Sequence, residues 1–216
     1  MRAFKNLPVP PLPLSTEEPR SYAVALREHL SLFDTLDSLQ GDVQNAAAMV
    51  VRTLSSGGKL MLCGNGGSAA DSQHIAAELT GRFVQDRRPL AAIALTTDSS
   101  ALTCIGNDYD FSEVFSRQVI GLGRPGDCLL AISTSGTSAN VVKAVEAAQR
   151  LQISTVALSG RDGGRLRSLC DAAIVVPSAT TARIQEAHIF VGHALCALIE
   201  EGLYKNGQLS TTAPLH

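Results

Sequence analysis

The chain has 216 residues, with 18 Lys and Arg against 20 Asp and Glu and a formal net charge of −2. That length suits one α/β domain with a sizeable core. The balanced charge, without a run of like sign, gives no electrostatic basis for binding DNA, RNA or a membrane surface.

In chain order, residues 1–14, "MRAFKNLPVPPLPL", read as an extended Pro-rich arm, too interrupted by proline to serve as a signal peptide. Residues 15–56 read as a helical hairpin. "STEE" offers Ser15 as an N-cap with Glu17 and Glu18 in the first turn, and Tyr22, Leu26, Leu30 and Phe33 recur at helical spacing. A break at Gly41 precedes a second helix over about 42–54.

From residue 57 to 204 short apolar runs alternate with helical patterns. "KLMLC", "AAIAL", "CLLAI", "STVAL" and "AAIVV" lack apolar/polar alternation, as strands of a parallel sheet buried on both faces do. Each is followed by a turn-rich loop. Five such units predict a doubly wound, five-stranded parallel sheet of the flavodoxin-like kind, with ligands at the C-terminal ends of the strands. The last helix is expected over about 182–203, and residues 205–216 read as a flexible tail. No apolar run is long enough to span a bilayer. The five cysteines show no CxxC spacing, and Cys63, Cys128 and Cys196 read as small buried residues of a reduced, cytoplasmic protein.

Two loops carry chemistry. "STSGTS", Ser133 to Ser138, follows a strand and precedes a helix. Its glycine, hydroxyls and helix N-terminus suit a monoester phosphate held by neutral donors. It lacks the Gly-Lys-Ser/Thr of a nucleoside triphosphate loop. "GNGGS" lacks dinucleotide spacing and reads as a second polar turn opposite the first. His74, Glu78 and Arg82 fall at i, i+4 and i+8, one stripe of the first core helix. A solvated stripe is the plain alternative. Arg82, Arg87 and Arg88 together read as an exposed basic loop. His193 interrupts "IFVGHALCALI", which places it in a buried run, whereas Glu186 and His188 suit the polar side of that helix.

Taken together, "CGNGGSAADSQHIAAELTGRF", "TTDSSALTCIGNDYDFSEVFSRQV", "LLAISTSGTSANVVKA" and "ARIQEAHIFVGHALCALIE" resemble the phosphoheptose isomerases of the sugar isomerase (SIS) fold group, over roughly residues 26–203. The resemblance implies interconversion of sedoheptulose 7-phosphate and D-glycero-D-manno-heptose 7-phosphate, for activated-heptose synthesis, by a homotetramer with sites at subunit interfaces. It implies substrate contacts at Asn65, Gly66, Gly67, Ser68, Glu78, Arg82, Asn107, Asp108 and Gln185, and a phosphate site at Ser133, Thr134, Ser135 and Ser138. His74, Glu78, Gln185 and His193 match the family's metal and catalytic set. Two positions depart from the family's pattern. Thr137 stands where the loop often has Asn, and Ala182 where some members carry Asp before "RIQE".

Aldose–ketose isomerisation through an enediol(ate) needs a base at carbon and a proton relay at oxygen. Glu78 suits the base and His193 the relay. Zinc would suit two His, one carboxylate and one amide oxygen. A Glu78 that ligates tightly is a poorer base, and the sequence leaves both roles open. Gln185 and His193 lie eight residues apart on one helix, a rise of about 12 Å. That spacing predicts that one of them serves a neighbouring chain's site. Three other readings are a non-catalytic SIS scaffold that binds a replication initiator, a sugar-phosphate-sensing regulator, and an isomerase of another long-chain sugar phosphate. Glu78 and His193 count against the scaffold, and the acidic N-terminal hairpin counts against a DNA-binding regulator.

Overall fold

The computed structural model describes residues 21–209. Its centre is an all-parallel sheet in the order β2-β1-β3-β4-β5. The strands are β1 (Leu60–Gly64), β2 (Ala92–Ala94), β3 (Cys128–Ser133), β4 (Ser154–Gly160) and β5 (Ala172–Val176). Every residue of β1 and β3 is buried, because helices cover both faces. Both strands therefore lack a polar face, and this is why their sequences read as unbroken apolar runs.

Alternation along each strand divides the core in two. Leu60, Leu62, Leu130 and Ile132 face one cluster, packed under α2 (Gln40–Ser55), α3 (Gly67–Thr80) and α8 (Thr181–Lys205). Met61, Cys63, Leu129 and Ala131 face the other, with α5 (Ser116–Leu122), α6 (Ala139–Arg150) and α7 (Gly164–Leu169). The helix α4 (Ser99–Asp108) buries none of its residues fully. Burial pushes the Cys128 and Cys196 thiols up to about 12, and Cys63 higher still.

The expected Ser15 cap lies outside the described residues. The first described helix, α1 (Tyr22–Phe33), starts at Ser21, whose side chain accepts the Val24 N–H at 3.3 Å. The break between the two N-terminal helices is the 3-10 turn Leu36–Leu39, and Gly41 falls inside the first turn of α2. Both helices join the main core. Val43, Ala46, Val50 and Leu54 of α2 pack in the same cluster as α8, and His29 of α1 lies 2.8 Å from Glu186 of α8. At the other end, four residues expected in the tail fold back. The Gln208 and Leu209 N–H groups both donate to the Leu203 carbonyl, and Leu209 is buried. Residues 210–216 lie outside the described residues.

The strand order places the C-terminal ends of β1 and β3 side by side at the topological switch point, the crevice where such sheets bind ligands. The loop after β3 is braced from behind by the loop after β4. Gly136 has φ +65°, its carbonyl accepts the Leu166 N–H at 3.1 Å, and a Cβ there would strike the Gly163 carbonyl. Gly136→Ala should therefore destabilise the fold by at least about 1 kcal/mol, through a disfavoured φ and a backbone clash. Urea unfolding measures this, and wild-type stability would mean that the two loops are not packed together.

His188 corrects the sequence reading of α8. It is fully buried, with Nε2 donating to the Ser159 carbonyl at 3.1 Å, while His193 is half-exposed. Burial pushes the His188 ring down to about 4 from 6.5. The folded state therefore binds fewer protons than the unfolded state between those values. Stability is present above pH 6.5 and is lost as pH falls through 4. His188→Gln keeps a donor for Ser159 and removes the titration. Its stability relative to wild type should rise by on the order of 3 kcal/mol as pH falls from 6.5 to 4, read from thermal melts at stepped pH.

Candidate active site

The turn after β1 is built for a sharp start to α3. The Asn65 carbonyl accepts the Ser68 N–H at 2.9 Å, and Gly66 takes φ +54°, which favours glycine. A Cβ at Gly67 would meet the Gln185 amide, so a side chain there would displace that amide. Ser68 is buried beneath the turn.

The loop after β3 gathers its hydroxyls. Ser133 Oγ lies 3.0 Å from Ser138 Oγ and 3.5 Å from Ser135 Oγ. Ser135 Oγ accepts the Thr137 N–H at 3.2 Å and the Thr137 hydroxyl at 3.0 Å. Ser138 is the N-cap residue of α6, yet its side chain makes no cap bond. The Ala139 and Asn140 amides at the start of α6 thus keep their capacity for an anion beside the loop's five hydroxyl residues. Thr134 lies within the same loop.

The two loops are neighbours, not opposed turns. Asn65 Nδ2 donates to Asn140 Oδ1 at 2.9 Å, and Asn140 Nδ2 donates to Asn65 Oδ1 at 2.8 Å. Asn140 went unnoticed in the sequence, where it is one polar residue at a helix start and carries no spacing signal.

On α3, His74 and Glu78 do form one stripe, with His74 Nε2 3.3 Å from Glu78 Oε1. His193 of α8 meets them, its Nε2 2.9 Å from His74 Nε2. The ligand atoms of the three side chains lie within 4.8 Å of one another. Among the described residues no other set of three His, Cys, Asp or Glu groups converges this way. Phe83 stacks on the His193 ring at 5.7 Å. All three converging residues belong to one chain, so His193 needs no neighbouring chain to reach His74 and Glu78. The spacing argument separates Gln185 instead. Its amide packs at Gly67, seven residues and a rise of about 10 Å before His74.

Arg82 leaves the stripe because α3 ends at Thr80. Arg87 ends it. The guanidinium donates to the carbonyls of Glu78, Leu79 and Gly81, and to Glu200 Oε1 at 2.6 Å. Arg87 is therefore buried, while Arg82 and Arg88 are exposed as expected. Asn107 and Asp108 close α4. Both are exposed, with the Asn107 amide donating to Asp108 at 2.8 Å and the Cys104 thiol to Asp108 at 3.3 Å. Sequence reasoning also missed Asp71, one turn before His74. Its Oδ2 is buried without a partner among the described residues, and burial pushes the carboxyl up to about 6 against the pull of His74.

Comparison with known proteins agrees with this architecture. The SIS domain profile matches residues 22–160. The phosphoheptose isomerase of a Nitratiruptor species is 56% identical over 177 residues, 82% of this chain and 95% of that protein. That of Rhodospirillum rubrum is 55% identical over 161 residues, 74% of this chain and 86% of the relative. The solved phosphoheptose isomerase from Neisseria gonorrhoeae superposes with a TM-score of 0.79 at 48% identity, covering 83% of this chain and 96% of that one. With identity at this level across nearly the whole of each relative, the chain belongs to the phosphoheptose isomerases, enzymes built on the SIS domain.

Proposed function

We propose that the chain interconverts sedoheptulose 7-phosphate and D-glycero-D-manno-heptose 7-phosphate through an enediol(ate). The observation that carries this reading is the convergence of His74, Glu78 and His193 within one chain. A non-catalytic scaffold has no need for two imidazoles and a carboxylate held nitrogen to nitrogen to oxygen. The phosphate is held by Ser133, Thr134, Ser135, Ser138 and the N-terminus of α6. Asn65, Gly66 and Gly67 meet the sugar, with Gln185 packed behind them. Asn107 and Asp108 sit on an exposed helix end, apart from the hydrogen bonds of the two loops.

Glu78 removes the proton from one carbon and returns it to the neighbouring carbon. The oxygens exchange one proton, relayed by His193, and nothing is oxidised or reduced overall. Glu78 has an oxygen for this task. Oε1 faces His74, and Oε2 makes no hydrogen bond among the described residues. Two imidazole nitrogens with one carboxylate oxygen are a zinc donor set. His74, Glu78 and His193 would hold that ion, which when bound polarises the substrate carbonyl.

The assembly we propose is a homotetramer in the cytoplasm. Its support is the exposed apolar surface. Tyr22, Leu26 and Leu30 stand at four-residue spacing on α1, Tyr109 and Phe111 follow α4, and Ile120 and Leu122 lie on α5. Among the described residues no helix is long and apolar enough to cross a membrane.

Purified protein should convert sedoheptulose 7-phosphate, followed by NMR, and chelator should lower the rate. Glu78→Gln keeps the size and should cost at least about 10²-fold in kcat. Near-normal turnover by this variant removes Glu78 from the mechanism. Turnover confined to some other sugar phosphate would reassign the substrate. Ser138→Ala should weaken sugar-phosphate binding by about 0.5–3 kcal/mol; equal affinity for the dephosphorylated sugar would sink the phosphate site.

A further inference from the structure

The paired amides of Asn65 and Asn140 sit between the two loops at the switch point. Only one donor in the pair is unambiguous, the backbone N–H of Val141, which donates to Asn140 Oδ1 at 2.9 Å. That bond fixes which end of the Asn140 amide is oxygen. The Asn140 NH2 must then face Asn65 Oδ1, and the Asn65 NH2 must face Asn140 Oδ1. One backbone N–H thereby sets the orientation of both amides. Asn140 is buried, with both lone pairs of Oδ1 and one N–H engaged, whereas Asn65 is half-exposed and keeps one N–H and one lone pair of Oδ1.

β1 and β3 are adjacent strands, with Gly64 paired to Ile132 at their ends. The pair ties the first residues beyond β1 to the start of α6, directly after the hydroxyl loop. We propose that Asn140 is a positioning residue. It holds the Asn65 amide in one orientation and sets the separation between the sugar-contacting turn after β1 and the phosphate loop after β3. The proposal rests on the reading that a sugar phosphate spans both loops. A ligand that touches one loop only, such as inorganic phosphate, does not sense the separation.

Two variants test it. Asn140→Ala removes the pair. Asn140→Asp keeps an acceptor for Val141 N–H and for Asn65 NH2, and sets oxygen against oxygen on the other side. Both should lower kcat/KM for sedoheptulose 7-phosphate by about 10- to 100-fold, the scale of one or two lost buried hydrogen bonds. Competitive inhibition of the uncharged variant Asn140→Ala by inorganic phosphate should stay within about twofold, with thermal melts confirming a folded protein. Asn65→Ala combined with Asn140→Ala should lose no more than Asn65→Ala alone, because one residue acts through the other.

Phosphate inhibition that weakens in step with sugar-phosphate turnover would overturn the proposal and leave Asn140 a brace of the phosphate loop. Losses that multiply in the double variant would overturn it too. Exchange protection of the Asn65 side-chain NH2, read by NMR, tests the pair without catalysis. It should be slow in the wild type and fast in Asn140→Ala, which removes the acceptor, and unchanged protection in that variant defeats the proposal. An inactive wild type with a protected Asn65 amide would instead sink the functional reading and leave the pair standing.

Discussion

The close approach of α3 and α8 is the contact on which the site depends. Both helices follow strands of a parallel sheet and lie on the same face, so they run parallel to each other. Gly67 meets Gln185 at one level, and Ile75 meets Gly192 further along. A side chain at Gly192 would drive into Ile75, so that glycine sets the helix separation. Only at that separation can His74 and His193 bring their Nε2 atoms to 2.9 Å. The pair is held from three more directions. Phe83 covers His193, Glu78 faces His74, and the Arg87–Glu200 ion pair ties the end of α3 to α8. A buried pair of this kind is weak evidence for net stability, yet losing one partner leaves a charge stranded. Its structural effect is to stop α3 one residue short of Gly81, which holds Glu78 in the last ordered turns.

What the sequence made legible follows from burial. The central strands β1 and β3, covered on both faces, need apolar residues at every position and read as unbroken runs, which made the parallel, doubly wound class legible, whereas β2 exposes Ile93 and β5 alternates buried with half-buried residues. The hydroxyl loop and the His74–Glu78 stripe were legible because local spacing fixes them. Long-range choices were not. Ten residues of α8 are buried, and periodicity cannot say on which side of that stripe a histidine falls. His188 took the buried place and His193 the rim, the reverse of the reading from the apolar run. Arg87 looked like its neighbours Arg82 and Arg88 because its partner, Glu200, lies 113 residues away. Asn140 was hidden for the same reason, its partner being 75 residues distant.

Gln185 and His193, eight residues apart on α8, meet α3 at different levels, Gln185 at Gly67 and His193 at His74. The expectation that one of the two serves a neighbouring chain's site is not needed for His193 to reach His74, because α3 runs parallel to α8 and presents a separate partner to each. Spacing along one helix limits what that helix does alone. It carries no information about a second helix lying alongside in register.

This arrangement separates two requirements that conflict in a single pocket. A phosphate is best held by many fixed donors, and the loop after β3 offers hydroxyls and helix amides without one lysine or arginine. The proton transfer proposed at carbon needs a carboxylate with one oxygen free to take the proton, and among the described residues Glu78 Oε2 makes no hydrogen bond. Neutral donors satisfy the first requirement without disturbing the second. The two are placed on different elements, the hydroxyl loop at the start of α6 and the carboxylate on α3. What joins them is the sheet, through the hydrogen bonds of β1 to β3 and the amide pair above their ends. The sheet therefore acts as the ruler between binding and chemistry, and the crevice at the switch point is where that ruler can be read by a ligand.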